Sequence, residues 1–291
     1  MRRVVLTDGG DLAEWRAAAR TLLAARVPPP QVQWVCGVQG DLLETLAEPL
    51  EPAADNPANG NTGPMPDVRV PREFLALAEL VLAHADPQRH ALLYRLLWRL
   101  VHGERALLGI ATDPDVAWAR AAASAVRRER HKMKAFVRFR EVTDADGPVY
   151  VAWFEPAHDV LPLVAPFFAR RFAGMRWSIL TPSRSAYWDG IALHLGSGAS
   201  RSDAPGDDAL EELWRVYYGS TFNPARLKVA TMRKEMPVRY WKHLPEARLI
   251  PTLIRDAGAR TSAMLAASPT LPRKPRLDAA AAPRRGRHEA R

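Results

Sequence analysis

The residues best equipped for chemistry in this chain are cations crowded onto one joint. Arg127, Arg128, Arg130, Lys132, Lys134, Arg138 and Arg140 fall between Val126 and Val142 with only two acids, Glu129 and Glu141, a net charge of +5. Guanidinium forks and ammonium groups at this density can neutralise successive phosphates. From Ala135 the pattern alternates, which predicts a strand over 135–142 with Ala135, Val137 and Phe139 on one face and Phe136, Arg138 and Arg140 on the other. Arginines beside a ring on a strand hold phosphates and stack on a base, and the same pattern also makes the solvated face of a half-buried sheet. Arg127, Arg128 and Arg130 equally suit the negative end of a helix dipole. Further on, Asn223-Pro224 opens a predicted helix whose Ala225, Val229, Met232 and Met236 share a buried face, with Arg226 and Arg233 on one flank and Lys228 on the other. The candidate nucleic-acid site is therefore Arg127, Arg128, Lys132, Lys134, Arg138, Arg140, Arg226, Arg233 and Tyr240. Its strand and helix cations are expected to face one groove in which Phe136 or Tyr240 stacks a base.

Other chemistries find little support. There is no paired-histidine helix motif, Gly-x-Ser-x-Gly, Walker loop or His-x-Glu with a cysteine pair, so no catalytic residue, metal ligand or cofactor is assigned. His158-Asp159 and Glu129-x-His131 are the close acid–histidine pairs, at spacings common by chance. Trp188-Asp189 places a ring beside a carboxylate in a pocket, or a buried ring before an Asp-Gly turn. Tyr217-Tyr218 and Tyr240-Trp241 are stacking platforms or core plugs. Asp8-Gly9-Gly10-Asp11 reads as a turn and matches no nucleotide fingerprint. The single cysteine, Cys36, excludes an internal disulfide, a four-cysteine zinc site and an iron–sulfur cluster built by this chain alone. It falls in a strand that reads as buried, where a packed thiol is expected.

These residues must be positioned by a 291-residue chain of ordinary hydrophobic content, 47%, with 25% charged residues. The net charge of +9 is uneven: residues 1–125 hold 12 Lys/Arg and 15 Asp/Glu, residues 126–222 hold 13 and 12, and residues 223–291 hold 16 and 5. A positive end of this size favours a polyanion, nucleic acid before acidic membrane. No apolar run approaches the roughly 20 residues of a membrane span, and no signal-peptide pattern opens the chain, so a cytoplasmic location is expected.

The predicted order is a small β–α–β unit over 1–50, with a helix from Asp11 to Arg26, the Cys36 strand and a helix through Leu42–Leu46. A Pro/Asn/Gly linker follows at 51–67. The main domain, 68–267, opens with helices started by Asp86-Pro87 and Asp113-Pro114. The first of them carries Leu92, Leu93, Leu96, Leu97 and Leu100 inward, with Arg95 and Arg99 off the stripe. An antiparallel sheet ordered strand, strand, helix, strand, strand comes next, built from 135–142, 149–155, a helix at 162–175, 177–180 and 191–195. Residues 183–190 are open between a turn of helix and a strand with a turn. Helices at 207–218, from 223 and at 246–265 then cover the sheet, and 268–291 is a basic tail expected to be disordered. The fold class is α+β.

Several strings are more specific than composition. They are Leu92-Leu93-Tyr94-Arg95-Leu96-Leu97-Trp98-Arg99, His131-Lys132-Met133-Lys134-Ala135-Phe136-Val137-Arg138-Phe139, Trp153-Phe154-Glu155-Pro156, Phe167-Phe168-Ala169-Arg170-Arg171-Phe172 and Trp188-Asp189-Gly190. Tyr217-Tyr218-x-x-x-Phe222-Asn223-Pro224-Ala225-Arg226 and Met236-Pro237-x-x-Tyr240-Trp241-x-x-Leu244-Pro245-Glu246-Ala247 complete the set. In this order they resemble a bacterial family assigned to DNA metabolism, over nearly the whole chain to about Met264. The resemblance implies two contexts: neighbours that are radical-SAM proteins of DNA modification or repair, and fusions to an iron–sulfur-type uracil-DNA glycosylase that binds uracil-DNA tightly. This sequence has neither the cluster cysteines nor the Gly-Glu-x-Pro-Gly motif of the glycosylase, so uracil excision transfers to no residue here. What the resemblance implies is an accessory protein of DNA repair or modification, with DNA and a glycosylase or radical-SAM enzyme as partners. An enzyme in its own right, acting on nucleic acid or nucleotide, and a basic protein-interaction scaffold remain the other readings.

Overall fold

The computed structural model describes residues 1–36, 48–49, 70–144, 147–206, 215, 218–219 and 221–267. The predicted helix at 42–46, the linker at 51–67, most of the predicted helix at 207–218 and the basic tail at 268–291 lie outside them. The fold is α+β, with a small parallel sheet, a helical middle and a five-stranded sheet.

Strand β1 (Arg2–Leu6), helix α1 (Leu12–Ala24) and strand β2 (Val32–Cys36) form the predicted β–α–β unit. Both strands run parallel, and the two-residue β3 (Glu48–Pro49) pairs parallel on the other side of β1, making β1 central. Asp11 starts α1 by accepting the Ala13 N–H at 2.7 Å. Trp15, Ala19, Leu22 and Leu23, spaced for one helical face, are buried. Cys36 departs from expectation. It ends β2 and is exposed among the described residues.

Helices α2 (Arg72–Leu82), α3 (Arg89–Val101) and α4 (Pro114–Phe136) build the middle. Asp113 caps α4 through the N–H groups of Asp115 and Val116. Asp86 instead makes a turn, accepting from Gln88 N, and α3 begins at Arg89. All five leucines of the α3 stripe are buried, each contributing about 1.5–3 kcal/mol. Arg99 reaches Glu104 and Asp113, and Arg95 reaches Asp115, so the two arginines off that stripe fasten α3 to the start of α4. The N-terminal unit, these helices and the large sheet share one contiguous core, from Val4 and Leu6 through Leu93 to Trp177 and Ile179.

The predicted strand at 135–142 is a correction. Helix α4 continues to Phe136, Val137 closes it with an N–H to the Met133 carbonyl, and β4 spans Arg140–Asp144. Val126, Glu129, Met133 and Phe136 recur at three- and four-residue spacing, so the helical period extends across residues that also alternate. Strand β5 (Gly147–Trp153) pairs antiparallel with β4, as the hairpin reading required, and Gly147 takes the positive φ of 105° where β5 begins. The rest of the sheet is mixed rather than antiparallel throughout. Helix α5 (Leu161–Arg171) carries the chain back over the sheet, so β6 (Trp177–Leu180) enters parallel to β5. The open stretch at 183–190 resolves into β7 (Arg184–Trp188) and a turn, where Asp189 accepts the N–H groups of Ile191 and Ala192. Strand β8 (Leu193–Ser197) forms the edge, in the order β4-β5-β6-β7-β8.

The C-terminal segment is more broken than predicted. Asn223 caps only a 3-10 turn at Pro224–Arg226, and the following helix α6 is Val229–Glu235, too short to bury Ala225 on the same face. Two further 3-10 turns lead to α7 (Ile250–Arg255) and α8 (Ala257–Ala266). Met232, Met236 and Trp241 pack with Leu244, Ala247 and Ile250 in a satellite cluster that meets the main body at Phe136.

Candidate nucleic-acid interface

The second half of α4 sorts its cations by helical position. Val126, Glu129 and Met133 face inward, so Arg127, Arg128 and His131 stand on the exposed crest. The flanking positions reach neighbours. On one flank the Lys132 ammonium donates to the carbonyl of Glu235 and lies 3.1 Å from its carboxylate. On the other, the Lys134 ammonium sits 4.6 Å above the Phe167 ring of α5, where burial and the nearby Arg130 and Arg170 push its pKa down.

Beneath the crest, Glu129 is 3% exposed and serves three donors: the Ala157 N–H at 3.0 Å, the Tyr240 hydroxyl at 2.8 Å and the Arg239 guanidinium. Arg239, 54% exposed, lies against the Tyr240 ring. Glu129 therefore fastens the C-terminal segment along α4. A carboxylate in a run of cations reads as incidental in sequence, and only the three-dimensional partners reveal it as the anchor.

The predicted groove does not assemble from the residues chosen for it. Arg138 turns inward to Glu246, 2.7 Å away and 3% exposed, in a half-buried ion pair. Arg140 donates to the Pro205 carbonyl at 2.7 Å. Tyr240 is 1% exposed, stacked on Phe154 at 5.4 Å, and the partly buried Phe136 packs 5.3 Å from it against the core. Tyr240 therefore presents no face for a base. Arg226 and Arg233 are exposed as predicted. What comes together is a different set. The Lys132–Glu235 and Glu129–Arg239 pairs bring the crest of Arg127, Arg128 and His131 beside the exposed Arg233, Lys234 and Arg239. Between 223 and 267 there are nine Lys/Arg and three Asp/Glu, so this ridge continues into a cationic lobe. Lys234 and Arg239 were legible only as charge, since their exposure depends on where α6 stops.

The other expectations separate cleanly. His158 stacks on His84 at 4.3 Å, with its pKa lowered by burial and then by the neighbouring His84. Glu129 is buried while His131 is exposed, so that pair shares no site. Among the described residues no group of three or more His, Cys, Asp or Glu is arranged to hold a metal ion. No helix among them is long and apolar enough to cross a membrane.

No curated protein and no solved structure matches this chain. A family model described as a domain of unknown function, DUF4130, matches residues 87–246, from the start of α3 through the segment that carries Tyr240 and Glu246. With more than half of its length matched, the chain belongs to the DUF4130 family.

Proposed function

We propose that this protein binds nucleic acid, DNA in the first place, through the ridge of α4 and the cationic lobe beside it. In this reading it serves as an accessory to a DNA-repair or DNA-modification enzyme supplied by another chain. The observation that carries the reading is the pairing of Lys132 with Glu235 and Glu129 with Arg239, which sets the exposed cations of two segments side by side. Arg128 is steadied by Ser124 at 2.8 Å and Arg239 by Glu129, so these guanidinium groups lose little freedom on meeting a phosphate. The resemblance to DNA-metabolism proteins supports DNA over other polyanions, and it supports a uracil-DNA glycosylase or a radical-SAM protein as the partner.

The test is a titration of labelled single- and double-stranded DNA at several salt concentrations. If about five to seven phosphates are neutralised, the log–log slope of affinity against salt is about −5 to −6 on duplex DNA. Binding that is absent at low salt, or unmoved by salt, overturns the reading. In that event a protein-interaction scaffold takes its place, a second reading favoured by the inward turn of Arg138, Arg140 and Tyr240.

A further inference from the structure

The Asp8-Gly9-Gly10 turn forms the floor of a cleft of about 700 Å³ on another part of the molecule. Its walls come from elements far apart in sequence: Thr7 and the glycines after β1, Cys36 at the end of β2, Arg89 at the start of α3, Asp159 before α5, Arg184 on β7 and Leu195 to Ser197 on β8. The cleft thus lies at the carboxyl ends of the parallel strands β1 and β2. The chain takes β2 to one side of β1 and β3 to the other, and open α/β sheets hold ligands at such a switch.

The floor is built, not incidental. Arg184 donates to both oxygens of Asp8 and, through Nε, to Asp159, which fastens the N-terminal turn to the large sheet. Neither glycine tolerates a side chain easily. A Cβ on Gly9 falls 2.8 Å from the Cys36 sulfur and 3.0 Å from Arg89 Nη2, and one on Gly10 falls 3.2 Å from Arg184 Nη2. The Arg184 guanidinium holds the Asp8 carboxyl below the usual range, so that negative charge is already answered.

Two atoms of the lining residues are not answered. Arg89 gives Nη1 to the Asp86 carbonyl at 3.0 Å, while its Nε is buried without a hydrogen-bond partner. Asp159 gives one oxygen to Arg184, while Oδ1 is buried and unpartnered. Both atoms are closed to solvent and lie behind the cleft surface, so an occupant meets Arg89 through Nη2, the atom 3.0 Å from a Cβ placed on Gly9. Burial pushes the Arg89 pKa down, as a desolvated guanidinium with no carboxylate in contact requires.

We propose that the cleft binds a phosphomonoester of about nucleotide size, its phosphate on the guanidinium of Arg89. Arginine with the hydroxyls of Ser183 and Ser197 offers several donors to the several acceptors of a phosphate. The volume falls within the ~300–1,000 Å³ of small-molecule sites, well above the needs of a bare inorganic ion. Among the described residues the lining is polar and includes no aromatic ring to read a base, so recognition rests on the phosphate ester. Such an ester is either a free mononucleotide or the phosphorylated end of a DNA strand.

The experiment measures binding of deoxyadenosine 5′-monophosphate and of deoxyadenosine by calorimetry at fixed ionic strength. The monophosphate binds and the nucleoside binds at least tenfold more weakly. Arg89→Gln weakens the monophosphate at least tenfold. Leu195 is 51% exposed at the rim, so Leu195→Glu tests the site without touching the buried cluster; it weakens binding severalfold, whereas Leu195→Lys does not. A parallel titration compares 5′-phosphorylated with unphosphorylated single strands. A phosphate-dependent gain that Leu195→Glu abolishes assigns the strand end, and its absence beside tight monophosphate binding assigns the free mononucleotide. Monophosphate binding that is undetectable at millimolar concentration, that the nucleoside matches, or that Leu195→Glu leaves unchanged overturns the proposal.

Discussion

Glu129→Ala tests whether the joint between α4 and the C-terminal segment is organised as described. The substitution strands one donor in the interior, the hydroxyl of Tyr240, a residue 1% exposed, and frees the N–H of the exposed Ala157, which water can reach. Each unsatisfied buried donor costs about 1–3 kcal/mol. The Arg239 contribution is smaller, because a guanidinium 54% exposed recovers water when its partner goes, and such pairs are worth about 1 kcal/mol or less. Hydrogen bonds to one carboxylate do not add simply, and the loss expected is about 2–4 kcal/mol, set mainly by the stranded tyrosine hydroxyl. For a domain of this size that is about 4–16 °C in melting temperature. Urea unfolding supplies the free energy, and double-mutant cycles apportion it. The Glu129–Tyr240 coupling should exceed the Glu129–Arg239 coupling, since the tyrosine has no water to retreat to. A total loss under about 1 kcal/mol, or a larger coupling to Arg239 than to Tyr240, refutes the reasoning.

Acid should destabilise the protein in a defined window. His84, His90, His158 and His243 all have pKa values depressed first by burial, His243 to about 4, so the unfolded chain takes up protons that the folded one refuses. That stability is complete above the unfolded value of about 6.5 and is lost as pH falls from there towards 4, and His243→Phe should flatten a melting-temperature profile over that range. Asp113→Ala removes the α4 cap and an Arg99 partner 26% exposed, and should cost about 1–2 kcal/mol in urea unfolding; a loss near zero would show that α4 does not depend on its cap. Arg128→Ala with Arg233→Ala should weaken DNA binding more than Arg284→Ala with Arg285→Ala, and leave the melting temperature within error because both side chains are exposed. An equal effect from the second pair in a titration at fixed salt would mean that charge alone, not its placement, sets affinity.

Period and capping residues made the helices legible. Trp15, Ala19, Leu22 and Leu23 could only be a helix face, and Asp113-Pro114 could only begin one. Where two periods overlapped, sequence alone could not choose. Residues 133–139 alternate and also continue the helical stripe of Val126 and Glu129, and packing against the C-terminal segment decides for helix through Phe136. The parallel pairing of β5 and β6 follows from the path of α5 and leaves no mark in either strand's composition. The cleft was less legible still. Its floor belongs to a stretch that reads as a turn, and part of its wall arrives from β7 and β8, more than 170 positions away.

Charge count and charge direction are separate properties, and only the count is written in the sequence. Six of the seven cations in one joint were expected at a phosphate on charge and spacing alone. The fold divides them by what lies on each side of α4. Positions facing the core take a carboxylate, Glu129, because a cation there would have no anion to meet. Positions on the flanks lend their charge to neighbours, Lys132 to Glu235 and Lys134 to the Phe167 ring, and past the helix Arg138 and Arg140 are drawn into the body by Glu246 and the Pro205 carbonyl. Arg127, Arg128 and His131 remain exposed on the crest. Arg239 apart, which binds Glu129 and stays 54% exposed, the cations that hold the C-terminal segment in place are thus not the ones it leaves exposed for a polyanion. Losing Glu129 or Glu246 should therefore disorder the interface without removing a single positive charge from it, and that distinguishes a shaped surface from a merely basic one.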